Sequence, residues 1–116
     1  MRATSWLALV ALLLSSATGW GQNQSKAPPK SRTHVVTIAD MQFTPQTLDV
    51  ARGDTVVWIN NDLVPHTATS MPGSPAAFDS QKIEPGSSWR YAVRASGSVT
   101  YGCAYHPTMT GLVRVK

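Results

Sequence analysis

The 116 residues are 42% hydrophobic and only 14% charged, with 10 Lys and Arg against 6 Asp and Glu, 3 His and a single Cys. This length accommodates one small domain. One Cys excludes an internal disulfide framework and any zinc or iron–sulfur site that needs two or more thiolates, which leaves the thiol as a buried small hydrophobe, a reactive nucleophile or one member of a mixed metal site. Eight Gly and eight Pro imply many turns and few long helices.

The chain opens with Arg2, the unbroken apolar run Trp6–Leu14 and the small residues of Ser15–Gly21, the layout of a secretory signal cleaved after Ala17, Gly19 or Gly21. Nine apolar residues are too few to cross a bilayer, which takes about 20, so residues 1–21 are read as an export signal and not as an anchor. Without Arg2, nine basic residues face six acidic ones. Lys26, Lys30, Arg32 and Arg52 lie in the tail or a turn and the others are scattered singly through apparent strands, with no basic stripe of the kind that binds nucleic acid. The expectation is an exported monomer, periplasmic with secretion as the alternative, with no stable membrane insertion and no nucleic-acid partner. Residues 22–33, QNQSKAPPKSRT, are polar with adjacent prolines and read as a flexible tail, which leaves 34–116 as the folded domain.

From His34 onward, short β-branched and aromatic runs alternate with turn signals every eight to twelve residues, the pattern of an all-β sandwich or barrel. Strands are expected at Val35–Ile38, Thr47–Val50, Thr55–Asn60, His66–Ser70, Ser87–Arg94, Val99–Cys103 and Leu112–Lys116. In Ser87–Arg94, Trp89, Tyr91 and Val93 share one face while Arg90 and Arg94 share the other, as in a half-buried antiparallel strand. No window offers a convincing amphipathic helix. The fold class is therefore all-β, a Greek-key β-sandwich of about seven or eight strands.

The chemistry gathers at strand ends. Val99, Tyr101 and Cys103 have the same parity, so the thiol points into the core at the very end of its strand. Cys103, His106 and Met109 then follow at Cys-x2-His-x2-Met spacing, in what reads as one short loop before a strand beginning after Gly111. His66 opens another strand, and two adjacent strand ends would bring it to Cys103. Two imidazoles, a thiolate and a weak thioether suit copper in both oxidation states. Zinc accepts similar ligands, but its structural sites use two or more thiolates in place of a Met. The Met decides for a single copper ion. His34 lies outside this set and reads as a surface residue without a role, while Met41 and Met71 read as core or near-core residues, Met41 near the ligand end. Asp54, Asp79 and Glu84 read as turn residues, since no pair of carboxylates shares a plausible catalytic site.

Four segments carry a family resemblance: Phe43-x-Pro45; Gly53-Asp54-Thr-Val56-x-Trp58-x-Asn60; Pro65-His66; and Tyr101-x-Cys103-x2-His106-Pro107-x-Met109-x-Gly111-x-Val113-x-Val115. Together they resemble the cupredoxins, the small blue copper proteins, nearest among them the amicyanins with their short loop. The likeness covers Val35 to Lys116. It implies an eight-stranded Greek-key sandwich with a type 1 copper near one end, held by His66, Cys103, His106 and an axial Met109. It also implies an apolar rim where His106 meets transiently docked redox donors and acceptors. The chain departs from the family pattern at Ala104-Tyr105, where a Pro is usual between Cys and His, and at Thr67, where Asn usually follows the first His. Neither position is a ligand, and the Thr67 hydroxyl is suited to tie the two ligand segments together.

The function expected is single-electron transport by Cu(II)/Cu(I) cycling. A copper-binding or copper-delivery module is the alternative, and predicts a more exposed, exchangeable site. An enzyme with Cys103 activated by His66 or His106 ranks last, because it provides no third orienting group and leaves Met109 unexplained.

Overall fold

The computed structural model describes Gly19 and residues 30–116. The expected signal, Gly19 apart, and the tail up to residue 29 lie outside the described residues. Eight strands are present, β1 (Thr33–Ala39), β2 (Gln42–Thr44), β3 (Thr47–Val50), β4 (Thr55–Asn60), β5 (Thr69–Ser70), β6 (Ser88–Ala92), β7 (Gly97–Cys103) and β8 (His106–Val115), and no helix occurs among the described residues. They form two four-stranded sheets, β2-β1-β4-β6 and β3-β8-β7-β5, the all-β sandwich expected. The β1–β4 and β3–β8 pairs are parallel and the others antiparallel.

Alternation builds the interior. Val36 and Ile38 of β1, Phe43 of β2, and Val56 and Trp58 of β4 face Val99, Tyr101, Cys103 and Val113 of the other sheet in one buried cluster. Trp58, fully buried, stands edge-on to Tyr101 with ring centroids 5.3 Å apart, and Phe43 meets the same ring at 4.7 Å. Aromatic pairs of this geometry each contribute roughly 0.5–1.5 kcal/mol beyond their buried area. Burial pushes the Tyr101 hydroxyl pKa up to about 12. On β6, Trp89 and Tyr91 pack against the cluster, with Val93 buried just beyond the strand and Arg90 exposed, as the alternation indicates.

Four local expectations are corrected. Strand β2 has no counterpart in the sequence reading, because its hairpin turn is Asp40-Met41, without the Gly or Asn that signals a two-residue turn; both residues have positive φ, 51° and 60°. His66–Ser70 is a strand only at Thr69–Ser70. Its other amides go elsewhere: Ala68 N–H donates to Ser80 Oγ and Thr67 N–H to Cys103 Sγ, while His66 makes an isolated bridge to Ile83. β8 begins at His106 and not after Gly111, since Cys103 pairs directly with His106 across the two-residue turn Ala104-Tyr105. Met41 and Met71 are 42% and 37% exposed and lie outside the core.

His34 also differs from expectation. It is only half-exposed, and its Nε2 lies 2.8 Å from Asp54 Oδ2. The Asp54 carboxylate further accepts the amides of Arg32 and Ala51, joining the start of β1 to the β3–β4 turn. Those bonds, Ala51 foremost, hold its pKa down at about 2.

Candidate metal centre

Three chain segments meet at one end of the sandwich: the loop after β4, the β1–β2 turn and the β7–β8 hairpin. Asn60, fully buried at the end of β4, shapes the first of these. Its amide nitrogen donates to the carbonyls of Val64 and Ile83, and its side-chain oxygen accepts the amide of Asp62. The loop thereby turns back and delivers His66 into the interior, where it is fully buried.

Opposite it, β7 and β8 carry a register shift between Gly102 and Cys103: Gly102 pairs with Thr110, whereas Cys103 pairs with His106. Pro107, Thr108 and Met109 are thus extra residues on β8 opposite a single step of β7. Bulges of this sort re-aim side chains at the ends of strands, and Met109 in this one is buried at 3% exposure. Gly102 makes the arrangement possible, because a Cβ there would stand 2.7 Å from the Met109 carbonyl oxygen.

The result is a compact set of ligating atoms. Cys103 Sγ lies 3.6 Å from Nδ1 of His66 and 3.6 Å from Nδ1 of His106. The potential ligand atoms of these three residues all lie within 4.8 Å of one another. Bonds of about 2.0 Å to nitrogen and about 2.3 Å to sulfur are usual for first-row ions, so one ion readily reaches a sulfur and a nitrogen 3.6 Å apart. The rings of His66 and His106 are 4.9 Å apart between centroids. His66 and Cys103 are buried, and His106 is partly exposed.

Two threonine contacts tie the segments together. Thr67 N–H donates to Cys103 Sγ at 3.3 Å, and the Thr67 hydroxyl accepts the Ala104 amide at 2.8 Å. The hydroxyl link is the one anticipated from the sequence. Asp62 was not singled out there, since an acidic residue in a polar loop carries no local signal. Its carboxylate lies 2.7 Å from His66 Nε2 and accepts the amides of Asp40 and Met41. Burial works against the Asp62 charge, but the Met41 amide, the His66 ring and the Asp40 amide outweigh it and lower its pKa.

A mixed His2Cys cluster with a buried Met, carried on a small β-sandwich, defines a copper-site architecture. Residues 31–116 match the model of copper binding proteins of the plastocyanin/azurin family, and the chain belongs to that family. It is 33% identical over 84 residues to an amicyanin of Paracoccus denitrificans, an alignment spanning 71% of this chain and 64% of that relative's length. A Cu(I) structure of an amicyanin variant superimposes with a TM-score of 0.67 at 31% identity, covering 72% of this chain and 82% of the other. A copper-containing nitrite reductase of Thermus scotoductus matches with a TM-score of 0.68 at 26% identity, over 78% of this chain but only 23% of the enzyme. His66, Cys103, His106 and Met109 are positioned to bind a single copper ion.

Proposed function

We propose that the chain is an exported type 1 copper protein that carries single electrons between redox partners, in which His66, Cys103 and His106 would hold the ion strongly and Met109 weakly. The observation that carries this reading is the thiol 3.6 Å from one nitrogen of each imidazole. Copper bound there supplies one-electron exchange between Cu(II) and Cu(I). The protein's part is to keep the ligands still. Thr67 fixes Cys103 Sγ by its amide and the hairpin tip by its hydroxyl, and the two-residue turn leaves Cys103 and His106 little freedom. Rigidity favours transfer, because little rearrangement then accompanies the electron.

His106 is the exit for the electron. It is the more exposed of the two imidazoles, and the segments leading to the site carry exposed apolar residues: Leu63 at 95%, Val64 at 42% and Tyr105 at 49%. Exposed apolar residues of this kind suit the small, transient interfaces of redox carriers. Full burial of His66 and 4% exposure of Cys103 favour the carrier over a delivery module, which needs an exchangeable ion. The role proposed is that of a carrier and not an enzyme. Residues 1–21 act as the export signal and the periplasm is the destination, in keeping with the apolar run after Arg2. Among the described residues no helix is long and apolar enough to cross a membrane.

Titration of the processed protein with Cu(II), followed by visible and electron paramagnetic resonance spectra, tests the proposal. An intense thiolate charge-transfer band with narrow parallel hyperfine splitting is expected. Cys103→Ala abolishes the band, whereas Met109→Ala keeps colour and shifts the reduction potential. A colourless adduct of the wild-type protein sinks the carrier reading.

A further inference from the structure

The Asp62 carboxylate stands at the meeting point of the β1–β2 turn and the loop that carries His66. Its Oδ1 accepts the Asp40 amide at 2.7 Å, and its Oδ2 accepts the Met41 amide at 3.0 Å and lies 2.7 Å from His66 Nε2. Asp40 and Met41 are the positive-φ residues of the β1–β2 turn, a conformation costly for residues with a side chain. Two amides aimed at the same carboxylate mark it as an acceptor, and an ionised carboxylate can only accept. The proton of the 2.7 Å contact therefore belongs to His66 Nε2. In a neutral imidazole that leaves Nδ1 with the lone pair, and Nδ1 is the atom 3.6 Å from Cys103 Sγ.

We propose that Asp62 is a positioning residue of the metal centre, selecting the His66 tautomer whose Nδ1 is free to bind and anchoring the ring to the β1–β2 turn. Carboxylate, histidine and metal then form a line in which the carboxylate raises the basicity of the imidazole. The proposal rests on the copper reading for its effect on the ion, but its tautomer claim concerns the protein alone. His106 serves as the internal contrast: it is partly exposed and has no carboxylate partner among the described residues, so its ring is oriented by the hairpin.

Three bonds converge on Asp62, and Asn retains one oxygen. Asp62→Asn therefore turns an NH2 group either toward His66 Nε2 and the Met41 amide, which share Oδ2, or toward the Asp40 amide at Oδ1, setting donor against donor and removing the negative charge in both cases. Without that charge the oxidised ion loses more support than the reduced one.

The experiment has a metal-free arm and a copper arm. In the copper-free wild-type protein, long-range proton–nitrogen correlation spectra at neutral pH should show His66 as a single Nε2–H tautomer with a slowly exchanging ring proton, and protected Asp40 and Met41 amides. In Asp62→Asn that ring proton should exchange fast. With copper, the variant should keep the thiolate band, bind Cu(II) about 10- to 100-fold more weakly, as is typical when a partner of a ligating histidine is lost, and show a raised reduction potential. A wild-type His66 in the Nδ1–H form, or in a mixture, overturns the proposal without any variant having to fold. So does an Asp62→Asn protein that melts earlier yet keeps wild-type affinity and potential, since that is the signature of a purely structural turn anchor. If the wild-type protein gives no thiolate band, the copper reading fails instead, and the tautomer alone judges Asp62.

Discussion

Thr67 contributes to the site through two different atoms, and their effects separate. Its amide bonds the thiol whatever the side chain, whereas its hydroxyl takes the Ala104 amide at 2.8 Å and lies 2.9 Å from the Thr69 hydroxyl. Thr67→Val keeps shape and amide but leaves the Ala104 N–H without its acceptor, at a cost of about 1–3 kcal/mol if the group stays buried. The expected outcome is a lower melting temperature in the copper-free protein together with a shifted potential in the copper form, measured by calorimetry and voltammetry. Unchanged values in both would mean that water replaces the hydroxyl at no cost. The Thr67 role was legible in the sequence because it adjoins His66, whose chemistry drew attention to its neighbours. Asp62, five residues before Thr67, was not, because its partners Asp40 and Met41 lie 22 and 21 residues away and its contact with His66 depends on how the loop turns.

At the scale of strands, the β7–β8 hairpin governs the geometry. A tight turn at Ala104-Tyr105 and a three-residue excess on β8 let Cys103, His106 and Met109 belong to two paired strands, where the sequence suggested a free loop. Loop and hairpin give the same Cys-x2-His-x2-Met spacing, so spacing alone does not distinguish them. Two glycines on this hairpin allow a contrast. A Cβ at Gly102 would meet backbone, the Met109 carbonyl oxygen at 2.7 Å, and one at Gly111 would run into the Tyr101 ring. Overpacking of this kind costs roughly 1–3 kcal/mol, sometimes more, so both Ala variants should lose stability in denaturant titrations. Only Gly102→Ala should also change the thiolate band and potential, because only it displaces the bulge carrying Met109. Equal spectra in the two variants would show that the bulge position does not control the site.

Across the whole molecule, the two ends of the sandwich are specialised. The far end from the metal centre is closed by Asp54, which gathers Arg32, His34 and Ala51 and so secures the beginning of β1, parallel to β4. Its folded-state pKa of about 2 lies below the usual 3.8. A depressed carboxylate stabilises the fold above its unfolded pKa, and that contribution is lost as pH falls through the folded value. Between about pH 4 and pH 2 the copper-free protein should therefore lose stability, and Asp54→Asn should be less stable at neutral pH with a shallower slope across this window. Denaturant midpoints at several pH values measure both; a parallel slope in the variant would assign the acid sensitivity to other groups, such as Asp49, whose pKa the Arg114 bond lowers.

The sequence by itself determined the all-β class and most strand positions and brought out His66, Cys103, His106 and Met109 as candidate ligands, because alternation, turn residues and ligand chemistry are properties of neighbouring residues. Thr55–Asn60 was read to the residue, because its run of β-branched and aromatic residues is nearly continuous and buried. Only the tertiary structure decided how those residues are held: the Asp62 contact with His66, the His34–Asp54 pair, the β2 hairpin without a turn signature and the bulge that carries Met109. The His34–Asp54 pair and the Asp62 bonds to the β1–β2 turn depend on distant backbone segments being brought together, and the Asp62–His66 contact depends on how the loop between them turns. A carboxylate or a histidine has the same sequence signature whether it faces water or its partner, so pairing decides its role.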